Sequence, residues 1–352
     1  MDDLHVATQP SDMSFSVSDL ASGLEYRGTN LNTIFAQRRN VVKPAFVRML
    51  ADIVRFNRAA RALLGAAKDD DDVDLGESLD DFLARGRYSP MFVEKFVVPL
   101  GASIWSADPQ TFTSFPAVAY AHFMDNHGLL NLRGMPEWRT VSGGSYRYVE
   151  AITRPFADRI RLATPVQKVR RDEGTDTVDV VSAAGLETFD RVILASHSDQ
   201  SLRLLADPSP AEREVLGAIR YQPNVATLHS DDRFLPKNPR ARASWNYHVG
   251  RGDGRTATLT YWMNALQAIE SRHPLLVTLN CHDEIAPDRV HGRYEYAHPV
   301  FDGAAMAAQR RRDEIQGRRG TFFAGAYWEY GFHEDGVRSA LDVCRHFGLG
   351  LG

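Results

Sequence analysis

The sequence predicts a mixed α/β (α+β) protein built from two interleaved domains, and three observations lead there. The stretch near the carboxyl terminus shows a buried strand (Thr321–Ala324), a glycine (Gly325), an aromatic loop (Tyr327, Trp328, Tyr330, Phe332) and a helix opening on Glu334-Asp335-Gly336. Helix-patterned and strand-patterned tracts alternate along the chain, and each kind occurs more than once. At 352 residues the chain is longer than one core usually serves. The expected segments are 1–137 (mostly helical), 138–220, 221–300 (β-rich) and 301–352, with the first and third forming one domain and the others the second.

Taken in order, residues 12–28 carry two short alternating stretches on either side of Ser22-Gly23, the pattern of a β-hairpin. Asn30 is placed to cap a short helix. Pro44 opens a longer one to about Leu64, with Phe46, Met49, Leu50, Ile53 and Phe56 near helical period. The acidic run Asp69–Asp72 is expected to be a solvated loop, because nothing near it turns carboxylates inward around a metal. From Ser78 to His127 the pattern is helical and aromatic-rich. Phe92, Phe96, Trp105, Phe112, Phe115, Tyr120 and Phe123 are expected chiefly in the core, a minority lining an apolar cavity.

At Trp138 the pattern changes to a short strand, a Gly143-Gly144 turn and a helix with Tyr148, Val149 and Ile152 on its buried face. Short β-runs follow. The last of them, Val192–Ala195, is uninterruptedly apolar, as a strand covered on both faces should be. Residues 222–299 mostly alternate, predicting an antiparallel sheet with Ser244, Asn246 and His248 on one face and Trp245 and Tyr247 on the other. Asp302 caps a helix that feeds the closing stretch.

A formal net charge of −4 gives no support to nucleic acid as a partner. Two cysteines, Cys281 and Cys344, stand in no metal-ligand spacing and suit a reducing cytoplasm. No apolar run approaches the ~20 residues of a membrane span, and the first residues lack the basic and apolar parts of a signal peptide. The expectation is a soluble cytoplasmic protein that at most touches a membrane surface.

Three tracts carry a family likeness: WRTVSGGSYRYVEAI at 138–152, ATPVQKVRR with VDVVSAAGLETFDRVILASH over 163–197, and FFAGAYWEYGFHEDGVRSAL at 322–341. In that order they resemble the flavin-containing amine oxidase and phytoene desaturase superfamily. QPSDMSFSVS, NLNTIFAQRRN, DNHGLL, SWNYH and TYWMN are similar to a branch of FAD-dependent proteins, of which a related domain precedes the methyltransferase part of plant cyclopropane fatty acid synthases. The likeness spans essentially the whole chain.

The resemblance implies an FAD-binding Rossmann-like domain interleaved with a substrate domain of helices and an antiparallel sheet. It implies FAD as cofactor and hydride transfer from a substrate C–H to flavin N5. It directs the backbone of Val169 at the adenine, Ala195 at the dinucleotide, and Gly325 with Ala326 at the pyrophosphate. Glu334, Asp335, Gly336 and Val337 would start the helix aimed at the pyrimidine end of the flavin, where the helix dipole steadies negative charge. His333 is the first candidate for positioning substrate or handling a proton, joined by Asn246 and His248 from the sheet; Ser244, Tyr261 and Asn264 are further candidates. The implied substrate is a small molecule or lipid, such as a fatty acyl chain, with peripheral membrane contact and a functional link to a cyclopropane fatty acid synthase-like methyltransferase.

Two departures put an amine substrate in doubt: NVATLHSD holds no lysine, and Ala326 stands where many relatives place a glutamate. A third concerns the cofactor. The sequence contains no G-x-G-x-x-G, and Gly252-Asp253-Gly254 and Gly348–Gly352 miss its spacing. The expectation is therefore that the first βαβ unit is lacking and that the chain as written binds FAD weakly. The alternative is a non-catalytic remnant acting as an interaction or lipid-binding protein.

Overall fold

The computed structural model describes residues 1–69, 77–131, 137–172, 177–252, 254 and 256–351. They fall into two units, Met1–Ala157 with Pro223–His298 (unit 1) and Asp158–Gln222 with Pro299–Gly352 (unit 2). Fourteen strands thread the described residues. In chain order they are β1 (Thr8–Pro10), β2 (Phe15–Asp19), β3 (Leu24–Arg27), β4 (Arg139–Val141), β5 (Val166–Asp172), β6 (Thr177–Ser182) and β7 (Gly185–Phe189). Then come β8 (Val192–Leu194), β9 (Tyr221–His229), β10 (Trp245–Val249), β11 (Leu259–Trp262), β12 (Leu276–Leu279), β13 (Val290–Pro299) and β14 (Thr321–Phe323).

Unit 1 is built on a seven-stranded sheet of order β13-β9-β12-β11-β10-β2-β3. The expected hairpin is present, with β2 and β3 antiparallel and Ser16 opposite Arg27. The sheet is not purely antiparallel, however. β10 lies parallel to β2, Trp245 beside Phe15; a long connection separates the two strands, and parallel neighbours need a crossover rather than a tight turn.

Helices fill the first part of that connection. Asn30 accepts the Thr33 N–H and caps Leu31–Ile34. The helix from Pro44 runs to Asp69, about a turn past its expected end; the acidic run lies outside the described residues from Asp70 on. Leu79–Arg85, Val98–Trp105 and Ala117–Asn126 follow. The aromatic residues of this region are mostly core: Phe56 meets Phe82, Tyr88, Phe92 and Tyr120 at centroid distances of 5.7, 5.9, 5.6 and 5.9 Å. Such pairs add about 0.5–1.5 kcal/mol beyond area burial. Gly101 is required by this packing, since a Cβ there would fall 2.0 Å from Phe112 Cζ. Lys95 ties the helices to the hairpin through the buried Asp19 carboxylate at 2.9 Å.

The first unit boundary falls after Ala157 rather than before Trp138. Pairing explains the shift: β4 pairs with β1, Thr8 opposite Val141, and so stays in unit 1. The helix Tyr146–Thr153 also differs from expectation, because Val149 and Ile152 are exposed rather than buried.

Unit 2 holds an antiparallel sheet β5-β6-β7 and a parallel pair β14-β8. Its core gathers Val169, Val178, Leu194, Val215, Leu216 and Phe323. Strand β8 corrects the sequence reading: Ile193 is 50% exposed, so one face is open, and among the described strands only β14 pairs with it. Behind the sheets Arg171, its side chain fully buried, forks onto Glu212 at 2.8 and 3.0 Å and onto Asp207 at 2.8 Å. Arg319 adds 3.2 Å contacts to both acids. Arg319 itself is left-handed (φ 48) between Gly317 and Gly320. This ion cluster fixes that unfavourable backbone just before β14.

Among the described residues no helix is long and apolar enough to cross a membrane, and no group of His, Cys, Asp and Glu could hold a metal ion.

Candidate active site

In unit 2 the parallel pairing of β8 and β14 brings their carboxyl ends together, with the Ala324 N–H donating to Leu194 O at 3.0 Å. Ala195 and Gly325 follow directly. The carboxyl ends of parallel strands are where α/β sheets take ligands. From there the chain makes one 3₁₀ turn, Ala326–Trp328, and enters the C-terminal helix His333–Arg345.

Side chains hold this connection in one shape. Gln316 accepts the Phe323 N–H (3.0 Å) and donates to Phe323 O (2.7 Å). Gln309 donates to Tyr327 O (3.0 Å) and Glu329 O (2.6 Å). Ser339 Oγ accepts the Gly325 N–H and donates to Gly336 O, both at 2.9 Å, locking the end of β14 to the helix. Burial raises the Glu329 carboxyl above the usual range, and the Asp335 carboxylate adds to this.

The helix start is left available. The Asp335 and Gly336 N–H groups donate to Phe332 O, both at 3.1 Å, so the amides without an acceptor among the described residues are those of His333 and Glu334; His333, Glu334 and Val337 are exposed. Gly336 packs close to Ala326, where an added Cβ would lie 3.9 Å from that residue's Cβ. A 13-residue helix presenting two amides and its positive dipole end, beside the carboxyl ends of two parallel strands, suits an electron-rich ring or a phosphate. The residues present therefore fit one end of an FAD.

Three members of the expected set have partners within the fold. Gly325 spends its N–H on Ser339, and its missing Cβ is accounted for by the Tyr327 ring, which would stand 2.3 Å away. Asp335 turns inward and accepts the N–H groups of Tyr330 (3.1 Å) and Phe332 (2.9 Å), which makes it a cap of the helix start. Val169 has its side chain in the core and its carbonyl bonded to the Ala206 N–H at 2.8 Å. Ser339, Gln309 and Gln316 escaped the sequence reading. Ser339 had a faint signal, a small hydroxyl three residues after Gly336 on the buried side of an otherwise charged helix.

In unit 1 the two faces of the large sheet differ sharply. Asn246 and His248, expected to face substrate, lie on the face covered by residues 231–243. Asn246 Oδ1 accepts from Ser16 Oγ (2.9 Å) and the Ala243 N–H (3.0 Å), and its Nδ2 donates to Ala243 O (2.6 Å) and Thr260 O (3.2 Å). A hydrogen-bonded row crosses four strands: His229 Nε2 to Thr278 Oγ1 (2.7 Å), Thr278 to Thr260 (2.7 Å), and Thr260 to His248 Nε2 (2.9 Å).

Directions in that row follow from its ends. His229 Nδ1 accepts the Asp231 N–H at 3.1 Å, so Nε2 carries the proton and donates. Each threonine passes the direction on, and His248 Nε2 accepts. Burial holds both imidazoles neutral, down to about 4 for His229 and about 3 for His248. These groups are spent on the fold.

The opposite face is aromatic. Phe15, Trp245, Tyr247 and Tyr261 lie there with Leu259, and Ala102 of helix Val98–Trp105 packs on it. Trp245 and Tyr261 meet edge to face at 4.9 Å. Trp245 Nε1 is buried with no hydrogen-bond partner among the described residues, and burial raises the Tyr261 phenol well above its ordinary value.

A parallel-stranded unit with a ligand-ready helix start, interleaved with a helical unit bearing an aromatic sheet face, defines an FAD-dependent oxidoreductase. The chain belongs to the flavin containing amine oxidoreductase family, whose sequence profile matches residues 9–291. No curated protein matches its sequence. Similar solved structures include a putrescine oxidase carrying three substitutions from a redesign of cofactor binding (15% identity, TM-score 0.65, 98% of this chain and 84% of that one). A CLA-producing fatty acid isomerase from P. acnes is similar at 13% identity and TM-score 0.66, over 99% of this chain and 83% of that one. A putative protoporphyrinogen oxidase from Exiguobacterium sp. has 16% identity and TM-score 0.61, over 98% and 83%. At these identities the likeness is one of fold.

Proposed function

We propose that the protein oxidises a long apolar substrate, such as a fatty acyl chain, at a C–H bond. The observation that carries this is the aromatic face of Phe15, Trp245, Tyr247 and Tyr261, with a buried indole N–H left unspent. A wide apolar surface with one free donor suits an aliphatic chain carrying a single acceptor, such as a carboxylate or ester oxygen. Strand β9 holds no lysine, which argues against an amine. The fold likeness to a fatty acid isomerase is consistent with a lipid.

FAD, when bound, supplies the hydride acceptor. The His333 and Glu334 amides opening the C-terminal helix would hold its electron-rich end, and His333, the exposed first residue of that helix, would position substrate or move a proton. A lipid substrate also makes contact with a membrane surface, and a functional link to a cyclopropane-forming methyltransferase, part of the same proposal. Turnover of a long-chain fatty acid by FAD-loaded protein tests it, alongside His333→Ala. Loss of lipid oxidation with flavin retained supports the assignment; unchanged turnover removes His333 from it.

A further inference from the structure

Unit 1 contains a cavity of about 480 Å³ that the proposed oxidation does not use. One wall comes from the segment carrying Asp232, Leu235 and Arg242, the other from the loop after β11 that carries Ile269, Glu270 and Arg272. Its volume lies within the roughly 300–1,000 Å³ of small-molecule sites. Trp262 closes the base and packs against the Phe234–Leu235 cluster. Neighbouring strand residues point to opposite faces, so the cavity lies behind the sheet from Tyr261 and its aromatic face.

The cavity is held open by its own hydrogen bonds. Asn264 spends its whole capacity on the loop: Oδ1 accepts from Trp262 Nε1 (3.1 Å) and the Leu275 N–H (2.7 Å), and Nδ2 donates to Ile269 O (2.9 Å) and Ser271 Oγ (2.8 Å). On the other wall Arg242 Nε donates to Pro236 O at 3.0 Å. Phe234 anchors that wall by standing edge-on to His229 and His248, at 5.2 and 5.9 Å. The backbone frame of the cavity is thus ordered before binding.

Most of the charges around this frame are unspent. Among the described residues Glu270 and Arg272 form no ion pair and no side-chain hydrogen bond, the terminal nitrogens of Arg242 have no partner, and Asp232, without a side-chain hydrogen bond, acts through its charge on Arg233. Each wall carries one acid and one arginine. Two positive and two negative groups give the cavity no net preference for a simple anion or cation. A dipolar occupant satisfies both signs, its carboxylate on a guanidinium fork and its ammonium on an acid, with an apolar body against Trp262 and Ile269.

We propose that this cavity binds a small zwitterion with an apolar side group, of which an apolar α-amino acid is the simplest case. The test is calorimetric titration of the full chain with L-phenylalanine. 3-Phenylpropanoate and 2-phenylethylamine serve as probes lacking one charge each, with oxygen excluded so that none is turned over. Saturable binding of L-phenylalanine is expected, at least about tenfold tighter than of either probe. Arg272→Ala and Glu270→Gln, both at exposed positions, should each weaken it by about tenfold without moving the thermal midpoint. No saturable binding, equal binding of a one-charge probe, or binding that survives both substitutions overturns the proposal. The readout is binding rather than turnover, so it stands or falls apart from the proposed oxidation.

Discussion

The two faces of the seven-stranded sheet share the same strands and differ in what they leave unsatisfied. On one face Asn246, His248, Thr260, Thr278 and His229 are polar, buried and bonded within the protein, while the buried Ser18 and Thr227 hydroxyls beside them have no partner among the described residues. The face of Phe15, Trp245, Tyr247 and Tyr261 is apolar yet keeps an indole N–H without a partner. A polar side chain whose donors and acceptors are all matched by protein is part of the frame, and an apolar face with one unmatched donor has something left to offer.

The strongest way to break this contrast is Asn246→Ala, which strips partners from Ser16, Ala243 and Thr260 together. It should cost about 2–4 kcal/mol in chemical denaturation. A loss below about 0.5 kcal/mol would mean that the covered face is not a frame.

Acid should act on the same row. An unfolded histidine binds its proton near 6.5, whereas folded His229 and His248 resist protonation down to about 4 and about 3. Between those values the unfolded chain holds more protons, so stability is full above about pH 6.5 and falls with pH, by at most about 1.4 kcal/mol per unit for each histidine. Imidazole NMR signals of both residues that stay unshifted down to about pH 5 would confirm the neutral row; titration near pH 6.5 would contradict it.

The aromatic face predicts the reverse pattern. Trp245→Phe removes the free N–H while keeping an aromatic ring. Stability should change by less than about 1.5 kcal/mol, while the KM for a fatty acyl substrate rises about fivefold, the value of one neutral hydrogen bond. Unchanged KM would detach Trp245 from the substrate.

Much of the fold was legible because its signals are local. The hairpin around Ser22-Gly23, the Asn30 and Asp302 caps, the Pro44 helix and the strand–loop–helix ending at Arg345 all rest on neighbouring residues. The parallel placement of β2 beside β10 rests on partners over two hundred residues apart, which no local pattern encodes. Alternation in Ser244–His248 separated two faces correctly but carried no sign of which one residues 231–243 would cover. The site at the C-terminal helix was half legible. Its glycines and start were visible, whereas the inward turn of Asp335 and the Ser339 clamp depend on backbone groups brought together only by folding.

The most direct test of the account is anaerobic mixing of FAD-loaded protein with a long-chain fatty acid and, separately, with putrescine, following the absorbance of oxidised flavin. Bleaching by the fatty acid and none by putrescine is expected. Bleaching by putrescine with the fatty acid inert would contradict it.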